Sequence, residues 1–316
     1  MFKRNLRSTL SMVTNPSVRF KHAFVTGATG IVGSPLCEMI ARSGIPVTAY
    51  SRKPTVFSGF QGVRHELGNI LDLVALRNAA KDADVIFHVA AAVHNSVGTL
   101  DAYENVNVIG TQNVIQVARE INAKVIYVST VNVDGFLKGE LINDYARTKS
   151  QAEDLVRIAV DDGLDAVILR SASVFGNQLG SAGLIVDRIL DRSLKILPAP
   201  SRKISPVWSS DLAVALIKAT EVGRIGYTYT IAGPTITTSD FVSFVSKTTG
   251  TSLSILSLPV WIAWIPLQLA WWCKALTRWT PPISIESLTS HSIHDGRQAA
   301  RELGFSYTPL AEIFAD

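Results

Sequence analysis

The sequence predicts an α/β protein with a doubly wound parallel sheet and a smaller C-terminal domain. Three observations lead there. Residues 23–33, AFVTGATGIVG, run from a short apolar strand through a glycine-punctuated turn into a helical pattern that reaches about Ser43. Further apolar strands near 45–54, 84–88 and 123–130 alternate with stretches whose apolar residues recur at helical spacing. A chain of 316 residues with 47% hydrophobic content can bury a substantial core and has room for about two domains.

A strand that feeds through glycines into a helix N-terminus suits a dinucleotide pyrophosphate. Gly27 allows the tight turn, Gly30 lets the backbone approach the phosphates, and Gly33 lets the helix pack against the strand. The first helical turn adds unpaired N–H groups and the positive end of its dipole. The spacing is TGxxGxxG, and it is followed by HVAA at 88–91, YARTK at 145–149 and LRSASVFG at 169–176. With these motifs in this order, residues 23 to about 310 resemble the extended short-chain dehydrogenase/reductase family, and within it the 3β-hydroxysteroid dehydrogenase and dihydroflavonol reductase branch. The resemblance implies a Rossmann domain over 23–175, to which 205–232 return. It implies a substrate-binding domain made of 176–204 and 233–316.

The net charge of +4 is unevenly placed. Residues 1–22 carry Lys3, Arg4, Arg7, Arg19 and Lys21 and no acid, which leaves 25 basic against 26 acidic residues in the rest. A body of that balance is no nucleic-acid surface. The leader, basic and hydroxyl-rich, reads as a mitochondrial transit peptide, with a disordered basic tail as the plainer reading. The expected location is the mitochondrial matrix or the inner-membrane surface. Cys37 and Cys273 stand far apart without His/Cys spacing, so neither a disulfide framework nor a metal site is expected.

After the first strand and helix, IPVTAYSRKP (45–54) reads as a second parallel strand. NAD-preferring enzymes of this fold place Asp or Glu at its end, to hold the ribose 2′-hydroxyl. Here Ser51, Arg52 and Lys53 stand there. A guanidinium can grip a 2′-phosphate with two parallel bonds, so NADP(H) is the expected cofactor, against the alternative of a merely solvated loop. A third strand, GVRHEL, leads to Asn69 and Ile70, where the family usually has Asp contacting adenine; Asn can both donate and accept. DVIFH (84–88) is a buried strand whose tail, with Ala90 and Ala91, is expected to run under the cofactor, and His88 reads as structural. The resemblance thus gives a cofactor-binding set of Gly27, Thr29, Gly30, Ile31, Val32, Arg52, Lys53, Asn69, Ile70, Ala90, Ala91, Tyr145 and Lys149.

Residues 100–121 have helical spacing and contain Asn107, which matches an Asn of the family's active-site-flanking helix; a helix-packing role is the alternative. AKVIYVST (123–130) is a nearly continuous apolar strand, as in a sheet covered on both faces. It delivers Thr130 to the family's catalytic Ser/Thr position, with Ser129 as the neighbour in the other register. In NDYARTKSQAEDLV (143–156), Tyr145 and Lys149 lie four residues apart on one helical face. A free phenol has a pKa of about 10, and a nearby ammonium is expected to lower it by roughly 1–3 pH units. The catalytic set is therefore Thr130, Tyr145, Lys149 and Asn107. Only about fifteen residues separate Thr130 from Tyr145, fewer than in many extended members, so another part of the chain is expected to cover the pocket.

DAVILRSASVFG (165–176) is expected as a sixth strand and its turn. KISPVWSSDLAVALIKAT (203–220) is expected as a strand then a helix capped by Ser209, Ser210 or Asp211. YTYTIAG (227–233) is a last strand, followed by a helix capped by Thr238 or Ser239 and stopped at Gly250. From Thr248 to Cys273 there is no charge, and the apolar segment 253–273 holds four of the six tryptophans. It suits an interfacial helix or lid, core or dimer packing, or a membrane span.

The expected function is an NADP(H)-dependent oxidoreductase interconverting a secondary alcohol and a ketone on an apolar sterol-, isoprenoid- or quinone-like substrate. Peripheral membrane association and a homodimer are the expected partnerships. Two rivals stand beside it: a nucleotide-sugar epimerase or dehydratase, and a non-catalytic NADPH-binding accessory subunit of a mitochondrial complex.

Overall fold

The computed structural model describes residues 20–54, 61–93, 100–141, 143–176, 183–259, 262 and 292–313. β1 (Ala23–Thr26) lies between two parallel neighbours, β2 (Val47–Ser51) and β4 (Val85–His88), and is entirely buried because helices cover both faces of the sheet. The remaining strands are β3 (Val63–Leu67), β5 (Lys124–Thr130), β6 (Ala166–Ser171) and β7 (Thr228–Ile231). They form one seven-stranded parallel sheet in the order β3-β2-β1-β4-β5-β6-β7. Strand order reverses between β1 and β4, and in such sheets the ligand crevice opens at the carboxyl ends there.

Parallel neighbours require crossovers, and helices on both faces supply them. On one face pack α1 (Gly33–Arg42), α6 (Ser209–Val222) and α8 (Arg297–Leu303), with Leu36, Ile40, Leu212, Leu216 and Leu303 in one core. On the other lie α2 (Leu73–Ala80), α3 (Gly110–Ile121) and α5 (Asp144–Asp161), whose Leu76, Val114, Val117 and Val156 form a second core with Phe24, Tyr50 and Tyr127. α1 begins where the glycine turn ends and stops after the basic Arg42, while Asp72 and Asn143 cap α2 and α5 through their side-chain oxygens. A smaller apolar cluster, including Phe175, Ile189, Leu197, Phe241 and Val245, gathers α7 (Thr238–Thr248) and the short strands Ile196–Pro198 and Leu256–Leu258.

Several local readings are corrected by the structure. The sixth strand breaks after Ser171, and Val174–Phe175 pair instead with Val207–Trp208. The helix expected over 100–121 is interrupted by a π-turn at Glu104–Ile109. α6 has no side-chain cap, and Asp211 accepts instead from Thr308 N at 2.9 Å and Thr308 Oγ1 at 2.5 Å. The cap of α7 is Thr237, one residue before the expected Thr238, with its oxygen 3.0 Å from Asp240 N. At α6 a tertiary partner, and at α7 a better-placed hydroxyl, took the place that local sequence suggested.

Most of the leader (1–19), Cys273 and nearly all of the apolar segment beyond Pro259 lie outside the described residues. Among the described residues, no helix is long and apolar enough to cross a membrane.

Candidate active site

The glycine turn sits where β1 meets α1, beside the tail of β4. Gly27 has φ +67°, and a Cβ there would lie 2.8 Å from Ala90 Cα and N. A Cβ on Gly33 would come within 2.3 Å of Gly27 O. Gly30 is different: its Cβ would touch only Gly27 O, at 3.2 Å, so the outer side of the turn is open. The amides of Thr29, Ile31 and Val32 have no backbone acceptor among the described residues. Open space above unpaired N–H groups at the start of a ten-residue helix fits a pyrophosphate. Gly33→Ala is expected to destabilise the chain by about 1–3 kcal/mol through overpacking and to weaken nucleotide binding in parallel, read by thermal melts and nucleotide titration.

β2 ends at buried Ser51, whose hydroxyl donates to Lys53 O at 2.8 Å and lies 2.8 Å from His65 Nε2. Arg52 and Lys53 follow, both exposed, and no carboxylate occupies the strand end. Asn69 is exposed with its Oδ1 accepting from Leu71 N at 3.1 Å, so one end of its amide is taken. Ile70 is buried against Gly110, and its carbonyl accepts from Asn113 Nδ2 at 2.9 Å. Ala90 and Ala91 are half-buried along the loop after β4.

That loop is fastened from two sides. Thr26 Oγ1 accepts from Ala90 N at 3.2 Å and meets His88 Nδ1 at 2.9 Å, and His88 Nε2 lies 3.0 Å from Thr111 Oγ1. Burial pushes His88 down to about 3, so it is a neutral bridge. Asn107, buried in the π-turn, accepts from Ala92 N at 2.8 Å and donates to Ala92 O at 3.2 Å and to Thr148 Oγ1 at 3.1 Å. The Asn107 amide is thus committed to a clasp between the loop and α5. Such π-turns often mark functional sites.

Thr130 closes β5 and Tyr145 opens the first turn of α5, and the Thr130 hydroxyl lies close enough to the phenol to favour its ionised form. Ser129 turns the other way, its Oγ 2.5 Å from Glu153 Oε1. Of the two registers, the structure sets Thr130 beside the phenol. Tyr103 stands next to it, with ring centroids 6.5 Å apart.

The expected lowering of the phenol is not found. Burial pushes Tyr145 up to about 12, against the opposing influence of the Thr130 hydroxyl. Lys149 shares the helical face but points inward: its Nζ donates to Val128 O at 2.7 Å and lies 4.2 Å from the centre of the Tyr127 ring. Burial pushes Lys149 down to about 7, with Glu153 pulling upward. Its ammonium is engaged at Val128 O and over the Tyr127 ring, and the groups that shift the phenol are burial, Thr130 and Tyr103.

Sequence reasoning passed over the ion-pair network under this site. Glu153 is wholly buried and is gripped by Arg170 through Nε at 2.8 Å and Nη2 at 2.6 Å. Arg157 Nη2 adds a third cation contact at 2.5 Å. Arg170 Nη1 donates onward to Asp134 in α4 (Asn132–Leu137). The signal was present, since Glu153 stands four residues after Lys149, on the face already singled out.

A model of the NAD dependent epimerase/dehydratase family matches residues 23–232. Sterol demethylase protein B of Methylococcus capsulatus is 26% identical over 317 residues, covering 92% of this chain and 95% of that protein. The 4-hydroxy-2-methyl-3-oxo-4-farnesyl-3,4-dihydroquinoline-1-oxide ketoreductase of Stigmatella aurantiaca is 26% identical over 253 residues, covering 75% of each. Among solved structures, that of gox2253 matches with a TM-score of 0.79 at 23% identity, covering 94% of this chain and 96% of that one.

Proposed function

The chain belongs to the NAD dependent epimerase/dehydratase family, of the extended short-chain dehydrogenase/reductase type, and from that premise we propose that it is an NADP(H)-dependent oxidoreductase acting on an apolar secondary alcohol or ketone. The observation that carries this reading is the pairing of Thr130 and Tyr145 at the carboxyl end of β5, with Lys149 on the same helical face.

NADPH bound along the turn at Gly27–Val32, with Lys149 toward its ribose, would supply hydride to the substrate carbonyl carbon. The chain's own residues handle the oxygen. Thr130 donates a hydrogen bond to the carbonyl oxygen and orients it toward Tyr145. With its pKa near 12, Tyr145 is protonated at neutral pH, and so it holds the proton that the nascent alkoxide takes. Tyr103 flanks the phenol on one side.

The substrate class is supported by two relatives whose names refer to a sterol and to a farnesyl quinoline oxide. Preference for NADP is supported by exposed Arg52 and Lys53 at a strand end without a carboxylate. Arg52→Ala is expected to weaken NADPH binding about tenfold, the loss of one charge-assisted contact, and to leave NADH binding nearly unchanged. Tighter binding of NADH than NADPH by the wild type would overturn the cofactor assignment. The same Arg52 weighs against the nucleotide-sugar epimerase reading, and the Thr130–Tyr145 pairing weighs against a purely structural subunit.

Peripheral membrane contact is supported by Ile196 and Leu256, which are paired across strands and respectively 52% and 61% exposed, at the base of the uncharged segment. A homodimer is proposed with it. The mitochondrial address rests on the leader alone, and the bacterial origin of the relatives does not favour it. A fluorescent fusion of residues 1–22 that stays outside mitochondria would remove it.

A further inference from the structure

We propose that Glu153 is a positioning residue of this site: it ties the strand end bearing Thr130 to the helix bearing Tyr145 and Lys149, and it places a carboxylate one helical turn from Lys149. The proposal deepens the reading of Lys149 as a cofactor anchor and rests on it.

The geometry is a four-way tether on one carboxylate with 0% exposure. Ser129, the residue before Thr130, donates to Oε1 at 2.5 Å. Arg170 reaches both oxygens from β6, and Arg157 reaches Oε2 from the next turn of α5. Through its remaining nitrogen Arg170 holds Asp134, in the helix that begins two residues after Thr130. Thr130 is therefore fixed from both sides, and each fixing runs back to α5. The separation between Thr130 and Tyr145 is set by these bonds across the fold, since the chain between the two residues passes through a short helix and a turn.

The second role follows from what surrounds Lys149. Glu153 stands one turn along the same helix, and its charge acts on Lys149. From β4 comes His88, held neutral by burial. From β5 come the Tyr127 ring and the carbonyl of Val128. Tyr145 lies one turn back and is protonated at neutral pH. Among these described groups Glu153 alone is anionic, and the guanidiniums of Arg170 and Arg157 share its carboxylate. A buried carboxylate is costly to keep, and here it lies one turn from the one ammonium the site needs charged.

The test needs no substrate. Protein carrying [ε-13C]lysine is titrated by NMR, with the Lys149 resonance assigned by its loss in Lys149→Arg, and NADPH affinity is followed against pH by tryptophan fluorescence. In Glu153→Gln, which keeps the shape of the side chain, the Lys149 midpoint is expected to fall by about one pH unit, the size of one nearby opposite charge. The pH at which NADPH affinity drops is expected to fall with it. Ser129→Ala removes one tether and leaves the charge, so the Lys149 midpoint should stay in place. If Glu153→Gln does not fold, Glu153→Asp withdraws the charge by one methylene and should move the midpoint part of the way. A folded Glu153→Gln, or failing that a folded Glu153→Asp, with an unmoved Lys149 midpoint overturns the proposal. Neither readout involves turnover, so a failure of the oxidoreductase reading would show separately, as an active Tyr145→Phe.

Discussion

Tyr145→Phe is expected to lose turnover by about 10²–10⁴-fold, the usual contribution of a positioned general acid, while NADPH binding persists. Phenylalanine keeps the ring beside Tyr103 and removes only the hydroxyl next to Thr130. Lys149 is engaged with Val128 O and His88 is held neutral between two threonines, so neither is placed to take over. The measurement pairs NADPH oxidation with apolar ketones against NADPH affinity by titration. If the variant turned over like the wild type, Tyr145 would leave the mechanism. Loss of nucleotide binding along with activity would instead mark the hydroxyl as a cofactor contact.

The second large effect concerns stability. Arg170→Met should destabilise the fold by about 3–5 kcal/mol, because it leaves Glu153 buried with its main partner gone. Burial works against the Glu153 charge, yet hydrogen bonds from Arg170 and Ser129, with further help from Arg170 charge and Arg157, hold its carboxyl below the ordinary 4.5. A carboxyl held low in the folded state adds stability that is fully present above its unfolded pKa and lost as pH falls through the folded value. The gap between wild type and variant is therefore largest near neutral pH and narrows in acid. Urea unfolding at pH 7 and at pH 4 measures it. An equal gap at both values would mean that Arg170 acts by packing alone.

What the sequence disclosed was whatever is written in short-range spacing. The turn at Gly27–Gly33 and the one-turn separation of Tyr145 and Lys149 were readable because both depend on a few adjacent residues. The parallel sheet was readable because strands covered on both faces are nearly all apolar, as in Val125–Val128. The Glu153–Arg170 pair was not, since it joins residues 17 apart on a helix and a strand. The direction of the Tyr145 shift was misjudged for a related reason: spacing places Lys149 on the same face, while burial and the Val128 carbonyl decide where its ammonium goes. Caps shifted by one residue at α7 because Thr237 and Thr238 are chemically alike and only backbone geometry separates them.

The π-turn at Glu104–Ile109 has a consequence for how this chain can vary. A π-turn holds one residue more than the regular helix around it, and each residue of an α-helix advances the face by about 100°. Loss of any single residue there would let the helix close up and swing Asn107 away from Ala92, with Thr148 deserted in the same motion. Point substitutions on the outer face of this segment leave its length unaltered; a deletion does not. The stretch is thus tolerant of spelling and intolerant of length.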